Sequence, residues 1–443
     1  MAKPIVAIVG RPNVGKSTFF NRISGTKLAI IEDTPGVTRD RIYADAEWLN
    51  REFTLVDTGG IDTVTQDVIL RQMRDQAQVA IESAELILFF VDAKTGITAE
   101  DFEVAKLLRK SKKTVIVVVN KVDNKADEQN LYDFYELGLG EVIGISSSQG
   151  LGLGDLLDVI IANINEQDED ENNETLKIAL VGKPNVGKSS LANKILGYDR
   201  TIVSDIPGTT RDAIDSVFER DGITYTIIDT AGLRKKGKID DKSIERYSVI
   251  RTLSAIRRAD VVVTMIDAVE GITEQDVKVA GYVDSEGKPT VIAVNKWDAV
   301  EKDSYTIEKF NEEISRDLLF MPYAKRIFLS ALTGQRVEKL FEMIHEAHEN
   351  NIKRISTGIL NDCLRDAVTA APPPSTNGRR LKIYYMTQVA VRPPAFVIFV
   401  NETALVHFSY KRYLENYLRK TFDFSGTPIK IIVRQKDDNK DEM

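Results

Sequence analysis

The chain has 443 residues, 43% of them hydrophobic and 28% charged, with a net charge of −8. That is length for about three domains and apolar material for a core in each, so wholesale disorder is excluded, as is indiscriminate coating of nucleic acid. A single cysteine, Cys363, excludes an intramolecular disulfide, and with only His345, His348 and His407 beside it a structural zinc site is not expected.

In chain order, residues 5–9 (IVAIV) read as a buried strand that runs into Gly10-Arg11-Pro12-Asn13-Val14-Gly15-Lys16-Ser17, then Thr18 and a helical pattern. Strand, GxxxxGK[ST] and helix together are the context of a phosphate-binding loop, in which glycines let successive backbone N–H groups turn inward around phosphate oxygens. Lys16 would neutralise the β- and γ-phosphates, and the Ser17 hydroxyl would ligate Mg²⁺. A strand at 53–56 delivers Asp57-Thr58-Gly59-Gly60, followed by Ile61. Asp57 can hold the metal through water and the Gly60 N–H can sense the γ-phosphate. Alone, Asp-x-x-Gly is ordinary turn chemistry; here it lies 40 residues after Ser17. Strands at 86–91, 114–119 and 142–145 alternate with helical patterns at 100–109 and 153–164, and their unbroken apolar runs suit a parallel sheet covered on both faces.

The series then returns. Gly182-Lys183-Pro184-Asn185-Val186-Gly187-Lys188-Ser189, followed by Ser190, repeats the first loop at an offset of 172. Residues 205–212 (DIPGTTRD) repeat 33–40 (DTPGVTRD), and Asp229-Thr230-Ala231-Gly232 with Leu233 repeats 57–61, again at 172. Asn295-Lys296-Trp297-Asp298 answers Asn120-Lys121-Val122-Asp123 at 175, and Ser330-Ala331 answers Ser146-Ser147 at 184. So long a period marks a duplicated domain, with Lys188 on phosphates, Ser189 and Asp229 on Mg²⁺, and Gly232 at the γ-phosphate. The domain boundaries expected are 1–163, an acidic linker 164–176 with six carboxylates and no base, 177–350, 351–436, and a charged tail 437–443.

Asp123 and Asp298 decide the base. Each follows an apolar strand, at the carboxyl edge where such sheets bind ligands. A carboxylate there accepts from guanine N1–H and the 2-amino group, whereas adenine offers no donor and leaves it desolvated and unpaired. GTP and GDP are therefore the expected ligands.

These residues match the five motifs of translation-factor-class GTPases. Two complete sets in tandem resemble the Der (EngA) family of bacterial double GTPases, in the TrmE-Era-EngA-like group, over essentially the whole chain. The resemblance implies that Thr38 and Thr210 ligate Mg²⁺ in the GTP state and that Ser330-Ala331 is the guanine-edge motif, from which Ser146-Ser147 departs. Ile61 and Leu233 stand where Ras-like enzymes carry a water-orienting glutamine. Asn13 and Asn185 have two readings: turn formers after Pro12 and Pro184, or, as the resemblance implies, ligands of a K⁺ that offsets transition-state charge. Arg39-Asp40 and Arg211-Asp212 read as salt-bridged switch-loop residues. The tract Arg234-Lys-Lys-Gly-Lys238 with Arg246, Arg251, Arg257 and Arg258 reads either as a solvated helical face or as a contact to RNA or a docked domain.

Beyond His345 no GTPase motif remains. A helix at 337–371 broken near Thr357-Gly358, strands at 381–391 and 396–400, a helix at 410–422 and a strand at 429–434 give an α-β-β-α-β order that resembles the family's KH-like domain. Leu414, Tyr417, Leu418 and Phe422 form its core stripe, with Lys411, Arg412, Arg419 and Lys420 on another face. From Lys353 to Lys436 there are fourteen Lys/Arg against five Asp/Glu, a balance of +9, so the rest of the chain carries −17. No GxxG occurs there, so the usual KH clamp on nucleotides is missing; RNA contact by shape and phosphate, or docking on the G domains, are the two roles left.

The expected architecture is two tandem P-loop GTPase domains, three-layer α/β/α with mostly parallel sheets, plus a C-terminal α+β KH-like domain. The resemblance implies a cytoplasmic GTPase, active as a monomer, that binds ribosomal RNA and large-subunit precursors. A membrane-associated regulatory GTPase would need an anchor, and no apolar run approaches the ~18 residues that span a bilayer. An RNA-modification GTPase would need cysteine or cofactor chemistry, and Cys363 sits in a helical core pattern.

Overall fold

The computed structural model describes residues 3–24, 43–49, 51–57, 84–111, 113–164, 175–198, 215–228, 241–373 and 379–435, together with 73, 74, 77, 78, 80, 81, 375 and 376. The chain divides into two compact units, the first built mainly on residues 38–173 and the second on 174–236 and 255–443.

In the first unit, strands β1 (Ile5–Gly10), β2 (Tyr43–Trp48), β3 (Arg51–Asp57), β4 (Leu86–Asp92), β5 (Thr114–Asn120) and β6 (Val142–Gly144) form one sheet in the order β2-β3-β1-β4-β5-β6. All neighbours are parallel except β2 and β3, an antiparallel hairpin at one edge. β4 is buried along all seven residues. Ile87, Phe89 and Val91 enter one core and Leu86, Leu88 and Phe90 the other, which is why a central parallel strand is apolar without alternation. Helices α1 (Lys16–Ser24), α2 (Ala99–Lys110) and α3 (Leu153–Asn163) cover the faces: Phe19, Phe20, Leu156 and Ile160 close one core, Val104 and Leu108 the other. β2 has no such signature, because Ala46 alone is buried among its described side chains.

The second unit repeats the plan. β7 (Thr175–Val181), β8 (Ser216–Arg220), β9 (Ile223–Ile228), β10 (Val261–Asp267), β11 (Thr290–Asn295) and β12 (Lys325–Phe328) take the equivalent order β8-β9-β7-β10-β11-β12, again with one antiparallel edge hairpin. Its helices are α4 (Lys188–Tyr198), α6 (Glu274–Ser285), α7 (Thr306–Asp317) and α8 (Val337–Ile352), with the last turn of α5 (Asp241–Arg258), whose residues up to Ser254 are assigned to the first unit. Both ends of the acidic stretch 164–176 are structured: Ile164 and Leu176 are buried, and β7 already begins at Thr175. α8 runs to Ile352, so a boundary at 350 falls within a helix.

The same unit contains α9 (Thr357–Ala370), a short ribbon of β13 (Ser375–Thr376) and β14 (Arg379–Arg380), β15 (Ile383–Ala390), β16 (Ala395–Val400), α10 (Phe408–Phe422) and β17 (Lys430–Gln435). The α-β-β-α-β order holds, with the ribbon as an addition. The helical break lies at 353–356 rather than at Thr357-Gly358, since Ser356 is the N-cap of α9. Lys353 fills the break, its Nζ donating to Asn350 Oδ1 at 2.5 Å and to the carbonyls of Phe422 and Asp423 at 3.0 Å. Leu360, Cys363, Leu414 and Leu418 pack under the sheet, with Tyr417 and Phe422 at the margin.

This KH-like domain is bonded to the second G domain. Thr290 N–H donates to Gly426 O at 2.7 Å, and Gly426 N–H to Tyr323 O at 2.8 Å. Thr427 Oγ1 donates to Ala347 O at 2.8 Å and Asn350 Nδ2 to Ser425 O at 2.9 Å. Thr290 opens β11, so the KH-like domain grips one end of the strand whose other end is Asn295.

Candidate functional site

The two phosphate loops have the same build. β1 and β7 end beside Gly10 and Gly182, and α1 and α4 begin at Lys16 and Lys188. Val14 and Val186 are buried anchors, while the side chains of Asn13 and Asn185 are exposed, on left-handed backbone at φ 64° and 66°. Asparagine tolerates that conformation, which supports the turn reading and leaves the amide turned outward. Lys16 Nζ donates to Gly10 O at 2.6 Å and Arg11 O at 2.7 Å. Lys188 repeats this on Gly182 O at 2.6 Å and Lys183 O at 2.7 Å. Burial pulls both ammonium groups down to about 8 against the attraction of Asp57 and Asp276 respectively. Each loop thus curls around a cation, at a helix N-terminus, where an anion is favoured.

The metal-ligand test can be made in the first pocket. Ser17 Oγ donates to Asp57 Oδ2 at 3.1 Å, bringing a hydroxyl and a carboxylate, both hard oxygen donors, to one point beside the loop. These residues fit Mg²⁺, the ion GTPases generally use. Asp229, its counterpart, lies outside the described residues, as do Thr38, Thr58, Gly59, Gly60, Ile61, Thr210, Thr230, Ala231, Gly232 and Leu233. The switch-loop pairs at 39–40 and 211–212 and the basic run 234–238 lie outside them too.

At the base end, Asn120 and Asn295 are buried and face inward. Asn120 Nδ2 donates to Val14 O at 2.7 Å and its Oδ1 accepts from Ser147 N–H at 2.9 Å. Asn295 makes the same two bonds, at 2.7 Å to Val186 O and at 2.9 Å from Ala331 N–H. The departure at Ser147 therefore keeps the backbone contact; its extra hydroxyl is buried, with no hydrogen-bond partner among the described residues, where Ala331 has a methyl. Lys121 and Lys296 take left-handed backbone, φ 67° and 62°, and form ion pairs with Asp92 and Asp267. Val122 and Trp297 are core residues, Trp297 packing on Phe310 and Phe328, so they support the loop from below.

Asp123 and Asp298, the carboxylates expected to read the base, differ. Asp123 Oδ1 accepts from Ser146 Oγ at 2.8 Å and Oδ2 pairs with Lys94 Nζ at 2.5 Å, which holds its carboxyl below the usual range. Val269 occupies the position equivalent to Lys94, so this ion pair belongs to the first half alone. Asp298 follows Trp297 in a short 3₁₀ turn.

A further pair of acids escapes motif reading. Asp101 closes a capping box with Thr98 at the start of α2, and Asp276 does so with Thr273 at α6. Both are buried, and each reaches the second residue of its phosphate loop: Arg11 Nε at 3.6 Å and Lys183 Nζ at 3.2 Å. The Thr-x-x-Asp pattern, repeated at an offset of 175, is the signal that finds them.

The basic tract is not a uniform face. Arg257 is buried against Glu286, with Nε and Nη2 at 2.8 and 2.6 Å from Oε1, and Arg258 pairs with Asp215. Arg419 likewise leaves the basic face of α10: it pairs with Glu415, donates to Thr427 O at 2.8 Å and lies 5.1 Å over the Tyr323 ring. Lys411, Arg412 and Lys420 remain exposed. Among the described residues no helix is long and apolar enough to cross a membrane.

A family model described as a 50S ribosome-binding GTPase matches residues 5–121 and 177–296. One described as the KH-domain-like C-terminal part of EngA bacterial GTPase enzymes matches 354–434. The chain is 56% identical over 437 residues to the GTPase Der of Clostridium kluyveri, covering 98% of this chain and 100% of that one. It is 57% identical over 439 residues to that of Acetivibrio thermocellus, covering 99% and 100%. A solved structure of Era with MgGDPNP and a segment of 16S ribosomal RNA is similar at 20% identity and a TM-score of 0.32, covering 60% of this chain and 94% of that one. Likeness this high to the curated relatives, sustained from end to end, leaves one conclusion: the chain belongs to the GTPase Der family, and hydrolysis of GTP is its reaction.

Proposed function

We propose that the chain is a GTP-driven switch in maturation of the large ribosomal subunit, working as a cytoplasmic monomer and touching ribosomal RNA in a nucleotide-dependent way. The reading is carried by the build of both pockets, in which one buried asparagine ties the phosphate loop to the base loop, in G domains that match a 50S ribosome-binding GTPase.

GTP would lie across residues 10–18 in the first half and 182–190 in the second. Lys16 and Lys188 exchange their carbonyl partners for the β- and γ-phosphates. Asp123 and Asp298 accept from guanine N1–H and its amino group, beside Ser146-Ser147 and Ser330-Ala331. Mg²⁺, when bound, neutralises phosphate charge; Ser17 with Asp57 and Ser189 with Asp229 would hold it, joined by Thr38 and Thr210. Gly60 and Gly232 would report the γ-phosphate through their N–H groups. Ile61 and Leu233 can neither donate nor accept a hydrogen bond, so charge must do what a glutamine does elsewhere. The outward amides of Asn13 and Asn185 would hold K⁺ beside the phosphates. Turnover equal in Na⁺ and K⁺, with Asn13→Ala and Asn185→Ala both silent, would remove that role.

In the second half, β11 links the base to the KH-like domain, with Asn295 at one end and Thr290, bonded to Gly426, at the other. Nucleotide held at Asn295 would thus bear on a strand whose other end is bonded to the docked domain. Sedimentation with large ribosomal subunits tests the reading. Co-sedimentation in a nonhydrolysable GTP analogue, weaker in GDP and absent for Asp123→Asn with Asp298→Asn, is expected. Equal sedimentation under all conditions, or none, would overturn it.

A further inference from the structure

The KH-like domain lacks the GxxG clamp, and its three-stranded sheet offers a different surface. One face is covered by α9 and α10 through Met386, Phe396, Ile398 and Ile431. Alternation sends the intervening residues to the other face. In register across β15, β16 and β17, that face carries Tyr385, Phe399 and Arg434 as one row and Thr387, Val397 and Ile432 as the next.

This face is not finished like a surface meant only for water. Tyr385 is 37% and Ile432 40% exposed, and Arg434 is exposed beside them. The Tyr385 and Phe399 rings stack on each other, centroids 4.4 Å apart and planes 18° from parallel. A bulge between Ile383 and Tyr385 leaves Tyr384 as the extra residue next to the pair, 45% exposed. At the far end of the same face the second G domain closes in: a Cβ built on Gly287 would lie 3.3 Å from Pro393 Cγ and 3.8 Å from Lys430 Cε. Within this unit the aromatic end stays open.

We propose that this open end is a platform for single-stranded RNA, on which a base stacks against the Tyr385–Phe399 pair while Arg434 takes a phosphate. Charge argues for a polyanion, because residues 353–436 balance at +9 in a chain that is otherwise acidic. Stacking argues for an unpaired base, because bases in a duplex have no free face, while every unpaired base offers one to an aromatic ring. The proposal rests on the ribosomal reading and adds the face and the form of RNA that meet.

The test uses the full-length chain and the fluorescence anisotropy of a short labelled oligoribonucleotide, as a single strand and as a duplex. The wild type should prefer the single strand. Tyr385→Ala should weaken that binding about tenfold, with Tyr385→Phe close to wild type. Arg434→Gln should lower the slope of log K against log salt by about 0.7. GTP turnover should be unchanged in all three. Should Tyr385→Ala fail to fold, Ile432→Gln takes its place. If single-strand affinity survives Tyr385→Ala and falls instead in Lys411→Gln/Arg412→Gln, the face is wrong while the ribosomal reading stands. A wild type that sediments with subunits but ignores the single strand also overturns the platform. A wild type that does neither removes both.

Discussion

Asn120 and Val14 are joined across the first pocket by a 2.7 Å bond from the asparagine amide to the valine carbonyl, 106 residues apart in sequence. The same amide accepts from Ser147 N–H at 2.9 Å. One buried side chain, satisfied at both ends, makes the phosphate loop and the guanine-edge loop a single rigid piece, and Asn295 repeats the device. Buried amides are worth most in such closed arrangements, because either bond lost leaves a desolvated partner.

Gly15→Ala should therefore disable the first site selectively. A Cβ there would collide with Asn120 Nδ2, and the backbone, at φ +95°, is left-handed. Losing the buried bond costs about 1–3 kcal/mol, or roughly 5- to 150-fold in affinity for GDP. Calorimetry should show the second site titrating as before and the first displaced to higher concentration. Two unchanged sites would refute the coupling.

Nucleotide affinity should fall at alkaline pH. Lys16 and Lys188 sit at about 8 without phosphate, and phosphate oxygens raise an ammonium pKa. Above pH 8 binding must then take up a proton. GDP should bind about tenfold more weakly at pH 9 than at pH 7. Titrations in buffers of different ionisation enthalpy should register proton uptake above pH 8 and none at pH 6.5.

Asp276 should matter to stability through two partners, Thr273 and Lys183. Its Oδ2 accepts from Thr273 N–H at 3.0 Å and Oγ1 at 2.7 Å, and it lies 3.2 Å from Lys183 Nζ. Asp276→Ala removes the cap and one of the two carboxylates that Lys183 meets, the other being Glu270 at 2.8 Å, for about 2–3 kcal/mol. Asp276→Asn keeps an acceptor for Thr273 and should cost about 1–2 kcal/mol. Urea unfolding of the full chain separates the two; no loss in Asp276→Asn would mean that the charge on Asp276 is idle.

The junction with the KH-like domain should weaken as pH rises from 4 to 6. Asp284 accepts from Tyr323 Oη at 2.8 Å, and burial raises its carboxyl to about 6, with Glu415 adding to the rise and Tyr323, Arg419 and Lys430 opposing it. The folded state keeps this proton where the unfolded chain, near 4, has released it, so the unfolded state binds fewer protons and stability declines across that window. Above it the ionised group costs on the order of 2–3 kcal/mol. Asp284→Asn, which never ionises, should melt higher than wild type at pH 8 and level with it at pH 4. A constant difference at both would rule out Asp284 as the source.

Much of the site was legible because its parts are contiguous. Gly10 to Ser17 and Asn120 to Asp123 each lie at the end of an apolar strand, and the sheets place them together as expected. The strands that were easy to find, such as β4, are central ones buried on both faces. β2 and β8 were not, since an edge hairpin buries little and its pattern dissolves into polar residues. The capping acids Asp101 and Asp276 carried a readable local signal, but that they reach Arg11 and Lys183 depends on where two loops meet.

What the sequence by itself determined was the pattern: a duplicated phosphate-loop motif, paired Asn-Lys-x-Asp runs from which guanine is expected, and a third domain of opposite charge. Those follow from residue type and short spacing, which survive any arrangement of the rest. Only the tertiary structure decided which charges are spoken for. Arg257 was claimed by Glu286, 29 residues away, and Arg419 by Glu415 and the Tyr323 ring. Whether a cation faces water or a partner is set by distance and burial between segments far apart in the chain, and no local pattern records that.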